Sequence, residues 1–321
     1  MASILIAFAV TATLANAAGA ADTWRHGVVV AKGDSGFLFM AARGGFDKKY
    51  NLAIDMKQFV SGLTPLKALL AGELDSIEAS PVVALSAMNK GADVKIIGCA
   101  WPGMTYSLYA GSAIKTVADL KGKVVGVSGP GSLPDLFARE ALKAAGLGDH
   151  DVDYASVGSS ANRVKAVLSG VLAAAASSSE FEPEVVAQGG KVLLRGVDST
   201  PNFLHVCIMT SSAVIAAKRD AMARFLASMM EAYTYALGHR DKVIDLSRSL
   251  AHLKPDDPAP AFVFDEAVQY KTITPDLAIP KPKLQWTEDM LVAHGVLPKS
   301  QDVSAFIDDS VRAEAAKLIK H

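Results

Sequence analysis

The chain repeats itself at a fixed spacing of 98 residues. Residues 65–97 read PLKALLAGELDSIEASPVVALSAMNKGADVKII, and residues 163–194 read RVKAVLSGVLAAAASSSEFEPEVVAQGGKVLL. Gly72 aligns with Gly170 in this register, which needs no gap. A period of this length is too long for a solenoid repeat, in which each unit has about 20 to 50 residues. The repeat therefore predicts two similar lobes.

Each repeat unit predicts alternating β and α elements. In the second unit the apolar run KVVGV leads to the glycine turn SGPGS (residues 128–132) and then to a helical segment. GDSGF (residues 33–37) holds the equivalent place in the first unit. This alternation predicts an α/β fold in which each lobe is a mostly parallel sheet flanked by helices. Ligands bind such sheets at the carboxyl ends of strands, so we expect the two glycine turns to face each other across a cleft.

The last third of the chain has no further repeat unit. Residues 211–250 carry apolar residues at helical spacing, and residues 261–270 and 286–294 predict shorter helices. We expect this tail to pack back on the first lobe, which makes that lobe discontinuous in sequence.

The N-terminal segment, residues 1–20, predicts an export signal. Its uncharged apolar run, residues 3–14, has the length of a signal-peptide core and is too short to span a bilayer. Small-x-small cleavage sites follow the run, although no Lys or Arg precedes it. We therefore expect a soluble protein outside the cytoplasm, most simply in a bacterial periplasm.

Composition excludes several classes of partner and chemistry. The formal net charge of −1 argues against binding to nucleic acid or to an anionic membrane surface. The seven histidines are scattered and no metal-ligand spacing occurs, so we predict no metal and no cofactor. Cys99 and Cys207 could pair in an oxidising compartment, but we favour two small apolar residues buried in strands.

The SGPGS turn resembles a phosphate loop but lacks the required residues. A dinucleotide fingerprint needs a third glycine where Pro134 stands, and a P-loop needs Lys-Ser/Thr where Ser132-Leu133 stands. What remains is a helix start whose free backbone N–H groups favour an anionic or polar group. The alternative is that Ser132 only caps its own helix.

Other candidate residues stand beside the repeat loops. Trp101 and Tyr106 follow the first unit and are predicted either to stack on a flat or aliphatic ligand or to pack in the core and hinge. Glu180 follows the serine loop and could accept from a ligand N–H or oppose an anion. His205 could donate to an anion, but a lone histidine in an apolar strand is more often structural.

Several stretches resemble the solute-binding proteins of ABC importers, in the nitrate/sulfonate/taurine and thiamine-pyrimidine-precursor group. They are FLFMAARGGFDKKYNLAIDMKQFVSGLTPLKALLAGELDSIEAS, VADLKGKVVGVSGPGSLPDLFAREALKAAGL and WTEDMLVAHGVLPKSQDVSAFID. The resemblance implies a two-lobed type II periplasmic binding fold, a permease and ATPase complex as partner, no cofactor and a monomer. The implied division is 1–20 signal peptide, 22–108 first lobe, 109–206 second lobe, and 207–321 the return to the first lobe.

Carried over by position, the resemblance implies a set of ligand-binding residues in the loops. They are Ser35, Gly36, Phe37, Ser61, Thr64, Ser80, Trp101, Tyr106, Ser128, Gly131, Ser132, Ser178, Ser179, Glu180 and His205. Two departures are visible. The acid that the family often has after the second-lobe helix is missing from Gly170-Val171-Leu172-Ala173-Ala174, and no arginine stands in these loops.

We therefore expect a periplasmic binding protein that captures a small sulfonate, carboxylate or pyrimidine-like molecule by closing two lobes over it. Two alternatives stay open. One is an enzyme on the same scaffold, similar to a pyrimidine-precursor synthase, but those relatives have a cysteine-rich motif and this chain has two cysteines. The other is a receptor subunit that passes its ligand to a signalling partner.

Overall fold

The structure, a computed structural model, describes residues 20–59 and 63–319. Nearly all of the predicted export signal, and Ser61, lie outside the described residues. The strands are β1 (Asp22–Val29), β2 (Leu52–Phe59), β3 (Ser76–Ala79), β4 (Lys95–Trp101), β5 (Tyr106–Ala110), β6 (Val124–Val127), β7 (Asp153–Ser156), β8 (Ala174–Ser178), β9 (Lys191–Arg195) and β10 (Val206–Thr210).

The α-helices follow the strands in the order that the repeat predicts, and then fill the C-terminal third. They are α1 (Ser35–Leu38), α2 (Met40–Arg43), α3 (Phe46–Lys49), α4 (Leu63–Leu70), α5 (Pro81–Met88), α6 (Leu133–Ala144), α7 (Ser160–Leu168), α8 (Glu182–Ala187), α9 (Gly196–Ser199), α10 (Ser212–Gly238), α11 (Arg240–Ala251), α12 (Ala259–Tyr270), α13 (Lys281–Ala293) and α14 (Ser310–Leu318).

Two five-stranded sheets of matching order form the two lobes. The first sheet has the order β2-β1-β3-β10-β4, and the second has the order β7-β6-β8-β5-β9. In each sheet four strands run in the same direction, and the fourth position in the order is taken by the one antiparallel strand, β10 or β5. The α/β prediction of two mostly parallel sheets is confirmed.

The repeat is visible in the backbone as well as in the sheet order. Gly72 and Gly170 have φ of 77° and 78°, and their equivalents Gly91 and Gly189 have φ of 86° and 80°. Only glycine adopts this left-handed conformation without steric cost. The aligned glycines therefore end equivalent helices, α4 with α7 and α5 with α8, in the same way.

The chain crosses between the lobes twice. The first crossing runs from the end of β4 at Trp101 to the start of β5 at Tyr106, and the second runs from the end of β9 at Arg195 to the start of β10 at Val206. The predicted boundary at residue 108 falls inside β5, a strand of the second sheet. The antiparallel position of β5 and β10 inside the two sheets was not predicted, because each strand pairs with strands of the lobe that the chain has just entered.

The C-terminal helices pack mainly on the first lobe. The predicted helix over 211–250 is divided at His239 into α10 and α11, and α10 packs on β1, α2, α3 and α14. Two of these helices also reach the second lobe. α12 contacts the turn Ser179–Phe181. Nε2 of His294, just after α13, lies 2.7 Å from Oε1 of Glu140 on α6, and the Glu140 carboxylate accepts this bond.

Cys99 and Cys207 form a disulfide, so the interpretation as two unpaired buried residues is wrong. Both side chains are fully buried in neighbouring antiparallel strands, β4 and β10, as that interpretation required. Their Cα atoms are 3.9 Å apart, which places the two sulfur atoms within bonding distance. The sequence could not fix this pairing, since it depends on β10 inserting next to β4.

Within the described ranges, no helix is both long enough and apolar enough to cross a membrane. The same part of the chain contains no group of three or more His, Cys, Asp or Glu side chains that could hold a metal ion.

Candidate functional site

The two lobes meet where the carboxyl ends of β1 and β8 point toward each other. The backbone N–H of Gly33, which follows β1, donates to Oε2 of Glu180, which follows β8, over 2.7 Å. A second contact joins the lobes beside it, because the Ser179 hydroxyl donates to Oε2 of Glu266 on α12 over 2.5 Å. The cleft is therefore closed in this structure.

A group of charges lies at this junction, in which Asp34 and Glu180 are buried and Lys32 is half-buried. The ammonium of Lys32 pairs with the Asp34 carboxylate and lies 3.9 Å from Oε1 of Glu180. Burial alone lowers the pKa of Lys32, but the Asp34 and Glu180 carboxylates outweigh it and raise the pKa above its ordinary value. Burial raises the pKa of Glu180, and the Lys32 charge opposes that rise. Lys32 thus keeps its positive charge at the centre of the closed cleft.

Burial also controls the protonation of Glu266. This side chain is 6% exposed, and burial, its largest influence, raises the pKa of its carboxyl to about 7. The bond from Ser179 favours the ionised form but does not cancel the effect of burial. A contact between the lobes therefore involves a carboxyl group that titrates near neutral pH.

His205 lies in the second crossing segment. Its ring lies between two aromatic rings that stand at the ends of the first crossing segment. Its ring centroid is 6.1 Å from that of Trp101 and 5.7 Å from that of Tyr106. Nδ1 of His205 lies 2.8 Å from the Thr105 hydroxyl. Burial, and next the charge of Lys32, lower the pKa of His205 to about 3, so the imidazole is neutral at pH 7. When Thr105 donates to Nδ1, Nε2 carries the proton and is a hydrogen-bond donor.

The remaining residues of the first glycine turn are used within the protein. The Ser35 hydroxyl accepts from the backbone N–H of Lys32 over 2.7 Å, and the N–H of Gly36 donates to Ser247 over 2.7 Å. The Phe37 ring packs against Trp101 and stacks on Phe264 at 5.6 Å each. All three residues are buried, and direct ligand contact by Ser35, Gly36 and Phe37 stays a prediction.

The SGPGS turn starts α6 in the way that its sequence indicates. The Ser132 hydroxyl accepts from the N–H of Asp135 at 3.4 Å, and the Asp135 carboxylate accepts from the N–H of Gly131 at 2.8 Å. Gly131 has φ of 69°, and a Cβ atom there would lie 3.7 Å from Val296. Gly33, its repeat equivalent, faces Glu180 and Ala259 instead. The expected arrangement of the two turns facing each other across the cleft stays a prediction, and Ser128 is exposed.

Replacing Ser132 by alanine is expected to lower the free energy of unfolding by about 1 kcal/mol, because the cap of α6 is lost. The Kd for a ligand should change by less than about threefold, since backbone N–H donors remain. Urea denaturation together with titration calorimetry would check both values. A large loss of affinity at unchanged stability would instead show that the hydroxyl itself binds the ligand.

The other predicted residues stand at helix starts on both sides of the cleft. Ser80 caps α5 and accepts from the N–H of Val82, and Thr64 lies exposed in the first turn of α4. The carbonyls of Ser178 and Ser179 both accept from the Tyr109 hydroxyl, at 3.1 and 3.0 Å. This tyrosine fixes the end of β8, from which Glu180 extends into the cleft.

Three charged residues near the ends of β1 and β8 were missed by sequence reasoning. Lys32 directly precedes the first glycine turn, so its position was a usable signal. Arg163 is fully buried on α7 and donates to the carbonyls of Ala176 and Gly158, with no carboxylate partner among the described residues. Glu266 comes from the C-terminal tail, where no motif marks it, and only the packing of α12 on the second lobe brings it to the site.

The arrangement fits non-covalent capture of a small molecule. It offers a neutral imidazole, a lysine ammonium, backbone N–H groups and aromatic rings at a closable junction between lobes. Lys32 supplies positive charge, whereas Asp34 and Glu180 supply negative charge in the same space. Selectivity at such a site depends on whether a ligand can take the place of a carboxylate beside Lys32.

Comparisons with known proteins agree with this fold. A family model described as NMT1/THI5 like matches residues 33–243. A protein of Escherichia coli (strain K12) named "Putative aliphatic sulfonates-binding protein" is 27% identical over 301 residues, covering 89% of each chain. A "Putative binding protein" of Brucella abortus (strain 2308) is 34% identical over 114 residues. That match covers 35% of this chain and spans only 34% of the length of the Brucella protein.

Solved structures of periplasmic binding proteins share the whole architecture. The alkanesulfonate-binding protein SsuA from Xanthomonas axonopodis pv. citri, bound to MOPS, matches with a TM-score of 0.73 at 21% identity, covering 89% of this chain and 98% of that one. The periplasmic nitrate-binding protein NrtA from Synechocystis PCC 6803 matches with a TM-score of 0.76 at 17% identity, covering 93% and 89%. These likenesses establish the periplasmic binding protein fold. Because the family model spans more than half of the chain, the protein belongs to the NMT1/THI5-like family.

Proposed function

We propose that this protein is the substrate-binding component of an ABC importer and that it captures a small organic anion between its two lobes. It would act in the periplasm, deliver its ligand to a permease and ATPase complex, and catalyse no reaction. The ligand class includes sulfonates and carboxylates, which place an anionic group on a small organic body.

One observation carries the proposal: the two lobes close on a half-buried lysine. Lys32 and the N–H of Gly33 lie on one side of the junction, and His205, Tyr106 and the end of β8 lie around it. An anion placed there meets a positive charge and hydrogen-bond donors in a space from which closure excludes water. Electrostatic attraction and charge-assisted hydrogen bonds are stronger in such a space than in water.

The names of two relatives support an anionic ligand. The Escherichia coli protein is named for aliphatic sulfonates, and the Xanthomonas structure holds MOPS, which is itself a sulfonate. The enzyme alternative has less support, because its cysteine-rich motif is absent from a chain whose two cysteines are paired in a disulfide.

A panel of small anions tests the proposal directly. Ethanesulfonate, benzenesulfonate, benzoate and nitrate would be screened by thermal shift and then by titration calorimetry. A ligand with a Kd of about 1 μM, present at a hundredfold excess, stabilises the protein by about 2.7 kcal/mol. Binding accompanied by turnover of the ligand, followed by NMR, would contradict a pure transport role.

Replacing Lys32 by glutamine is expected to weaken binding of the best anion about tenfold, or about 1.4 kcal/mol. The ammonium is partly buried and its charge is not replaced by another cation at the same point. Lys48→Gln, on the exposed surface of α3, removes the same charge far from the cleft and should leave Kd unchanged. Equal affinities for wild type and Lys32→Gln would remove Lys32 from the site.

A further inference from the structure

The second lobe contains a buried arginine whose charge is balanced by no carboxylate in the part of the chain that the structure describes. Arg163 lies in the first turn of α7 and is 1% exposed. Its Nε donates to the carbonyl of Ala176 over 2.6 Å, its Nη1 donates to the carbonyl of Gly158, and its Nη2 donates to the Ser160 hydroxyl over 3.0 Å. These acceptors are all neutral. A cation removed from water costs free energy unless a negative charge lies near it.

The fold does not require a cation at this position. Pro65 stands 98 positions before Arg163, in the first turn of the equivalent helix α4. Both helices end at equivalent left-handed glycines, so the repeat unit is built with either residue at its start. The amino end of α7 also carries a partial positive charge, which adds to that of the guanidinium and does not offset it. The architecture alone therefore gives no reason for a buried positive charge here.

Two hydroxyl groups accept hydrogen bonds from Arg163. One belongs to Ser160 and the other to Tyr106: burial lowers the pKa of Arg163, and its attraction and hydrogen bond to the Tyr106 hydroxyl oppose that change. A guanidinium can only donate, so each hydroxyl oxygen accepts and its own proton points away from the cation. Among the described residues neither proton has an acceptor. A hydroxyl that accepts from a cation is also a stronger donor, so both protons suit an anion.

Tyr106 connects Arg163 with the junction between the lobes. It begins β5, opposite the end of β8, and its ring centroid lies 5.7 Å from that of His205. Burial lowers the pKa of Lys32, but neighbouring carboxylates and, more weakly, the Tyr106 hydroxyl raise it. Tyr106 is therefore within electrostatic reach of both cations. An anion beside its hydroxyl is attracted by Lys32 from the first lobe and by Arg163 from the second.

We propose that Arg163 is the positive charge that neutralises the anionic group of the ligand from the second lobe, and that it acts through the hydroxyl protons of Tyr106 and Ser160. This inference rests on the proposed function and deepens it. The ligand carries a full negative charge on a group with at least two acceptor oxygens, as a carboxylate or a sulfonate does. A neutral molecule of the same shape leaves Arg163 without a counter-charge, so the site disfavours it. The arginine that the loops lack is thus supplied by a helix.

The first experiment separates the charge of Arg163 from its shape, with ethanesulfonate, benzenesulfonate and benzoate as probes in titration calorimetry. Arg163→Gln removes the charge, and the Kd of the tightest probe should rise about tenfold. Arg163→Lys keeps the charge without the planar guanidinium and should regain most of that affinity. Lys165→Gln, exposed on the same helix, is the matched control and should leave Kd unchanged. Equal losses in the glutamine and lysine variants would indicate a structural role of the guanidinium and overturn the proposal.

Tyr106→Phe tests the hydroxyl without changing any charge, and it decides the proposal if Arg163→Gln does not fold. The variant keeps the ring beside His205 and loses one hydroxyl proton, so Kd should rise about fivefold. In the Arg163→Gln background the same change should have a smaller effect, because the hydroxyl no longer accepts from a cation. Circular dichroism confirms that each variant is folded. A Kd for Tyr106→Phe equal to that of the wild type would overturn the proposal.

The same titrations distinguish failure of this inference from failure of the proposed function. If the wild type binds none of the three anions, the proposed function fails and the role of Arg163 fails with it. If the wild type binds one of them and both Arg163→Gln and Tyr106→Phe bind it equally well, the proposed function stands and only the role of Arg163 is overturned.

Discussion

Replacing Cys99 and Cys207 together by alanine is expected to lower the free energy of unfolding by about 4–5 kcal/mol. The disulfide joins residues 108 positions apart, and the loop that it closes contains all five strands of the second sheet. In the unfolded chain this cross-link removes conformational freedom, and a loop of about 100 residues corresponds to about 4.7 kcal/mol. The effect is large beside the 5–15 kcal/mol that stabilises a typical domain.

Chemical denaturation of three samples would check this value: the oxidised wild type, the wild type with reductant, and the double alanine variant. Alanine is preferred to serine because both sulfur atoms are fully buried, and an unpaired hydroxyl would add its own cost. The reduced wild type and the variant should agree with each other and lie below the oxidised protein. A difference under about 1 kcal/mol would show that the bond does not constrain the unfolded chain.

The fold could be predicted from the sequence because its main signals are local and repeated. The glycines that end α4 and α7, Gly72 and Gly170, occur at equal spacing and adopt the same φ. The antiparallel insertion of β10 into the first sheet and of β5 into the second could not be predicted, since these strands pair with partners about 70 to 130 positions away in sequence. The Cys99–Cys207 bond requires β10 to lie beside β4, so it was missed for the same reason.

The candidate site could be predicted only where it follows strand ends. Glu180 and His205 stand at the turn after β8 and before β10, so the topology alone places them near the cleft. Glu266 reaches the same region through the packing of α12, whose direction the apolar periodicity does not specify. A buried charge with no local motif has no sequence signal, because its partners come from other parts of the chain.

Charge at Glu266 is expected to make closure of the empty protein dependent on pH. The closed form buries this carboxyl against the second lobe and raises its pKa to about 7. In the open form water reaches it, and we expect its pKa to return to the ordinary value of about 4.3. Closing therefore takes up a proton between these two pKa values. The charged and titratable groups that face it are Lys32, Glu182, Arg195 and Tyr109.

The sign follows from this proton uptake. A carboxyl whose pKa is higher in the closed form favours closure fully below the open-state pKa, and this advantage is lost as the pH rises through about 7. The ratio of closed to open molecules should fall roughly tenfold per pH unit between pH 5 and 7 and level off above that range. The radius of gyration of the empty protein should therefore increase from pH 5 to 7.

Glu266→Gln separates this effect from the titration of Glu180, whose pKa burial also raises. Glutamine keeps the hydrogen bond with Ser179 but has no charge to bury, so the variant should stay compact at pH 8. Asp265→Asn, next to it on α12 but pointing to Arg240 on the exposed surface, is the matched control and should keep the pH dependence of the wild type. A wild-type radius of gyration that stays constant from pH 5 to 8 would show that Glu266 remains in the same environment whether the lobes are closed or open.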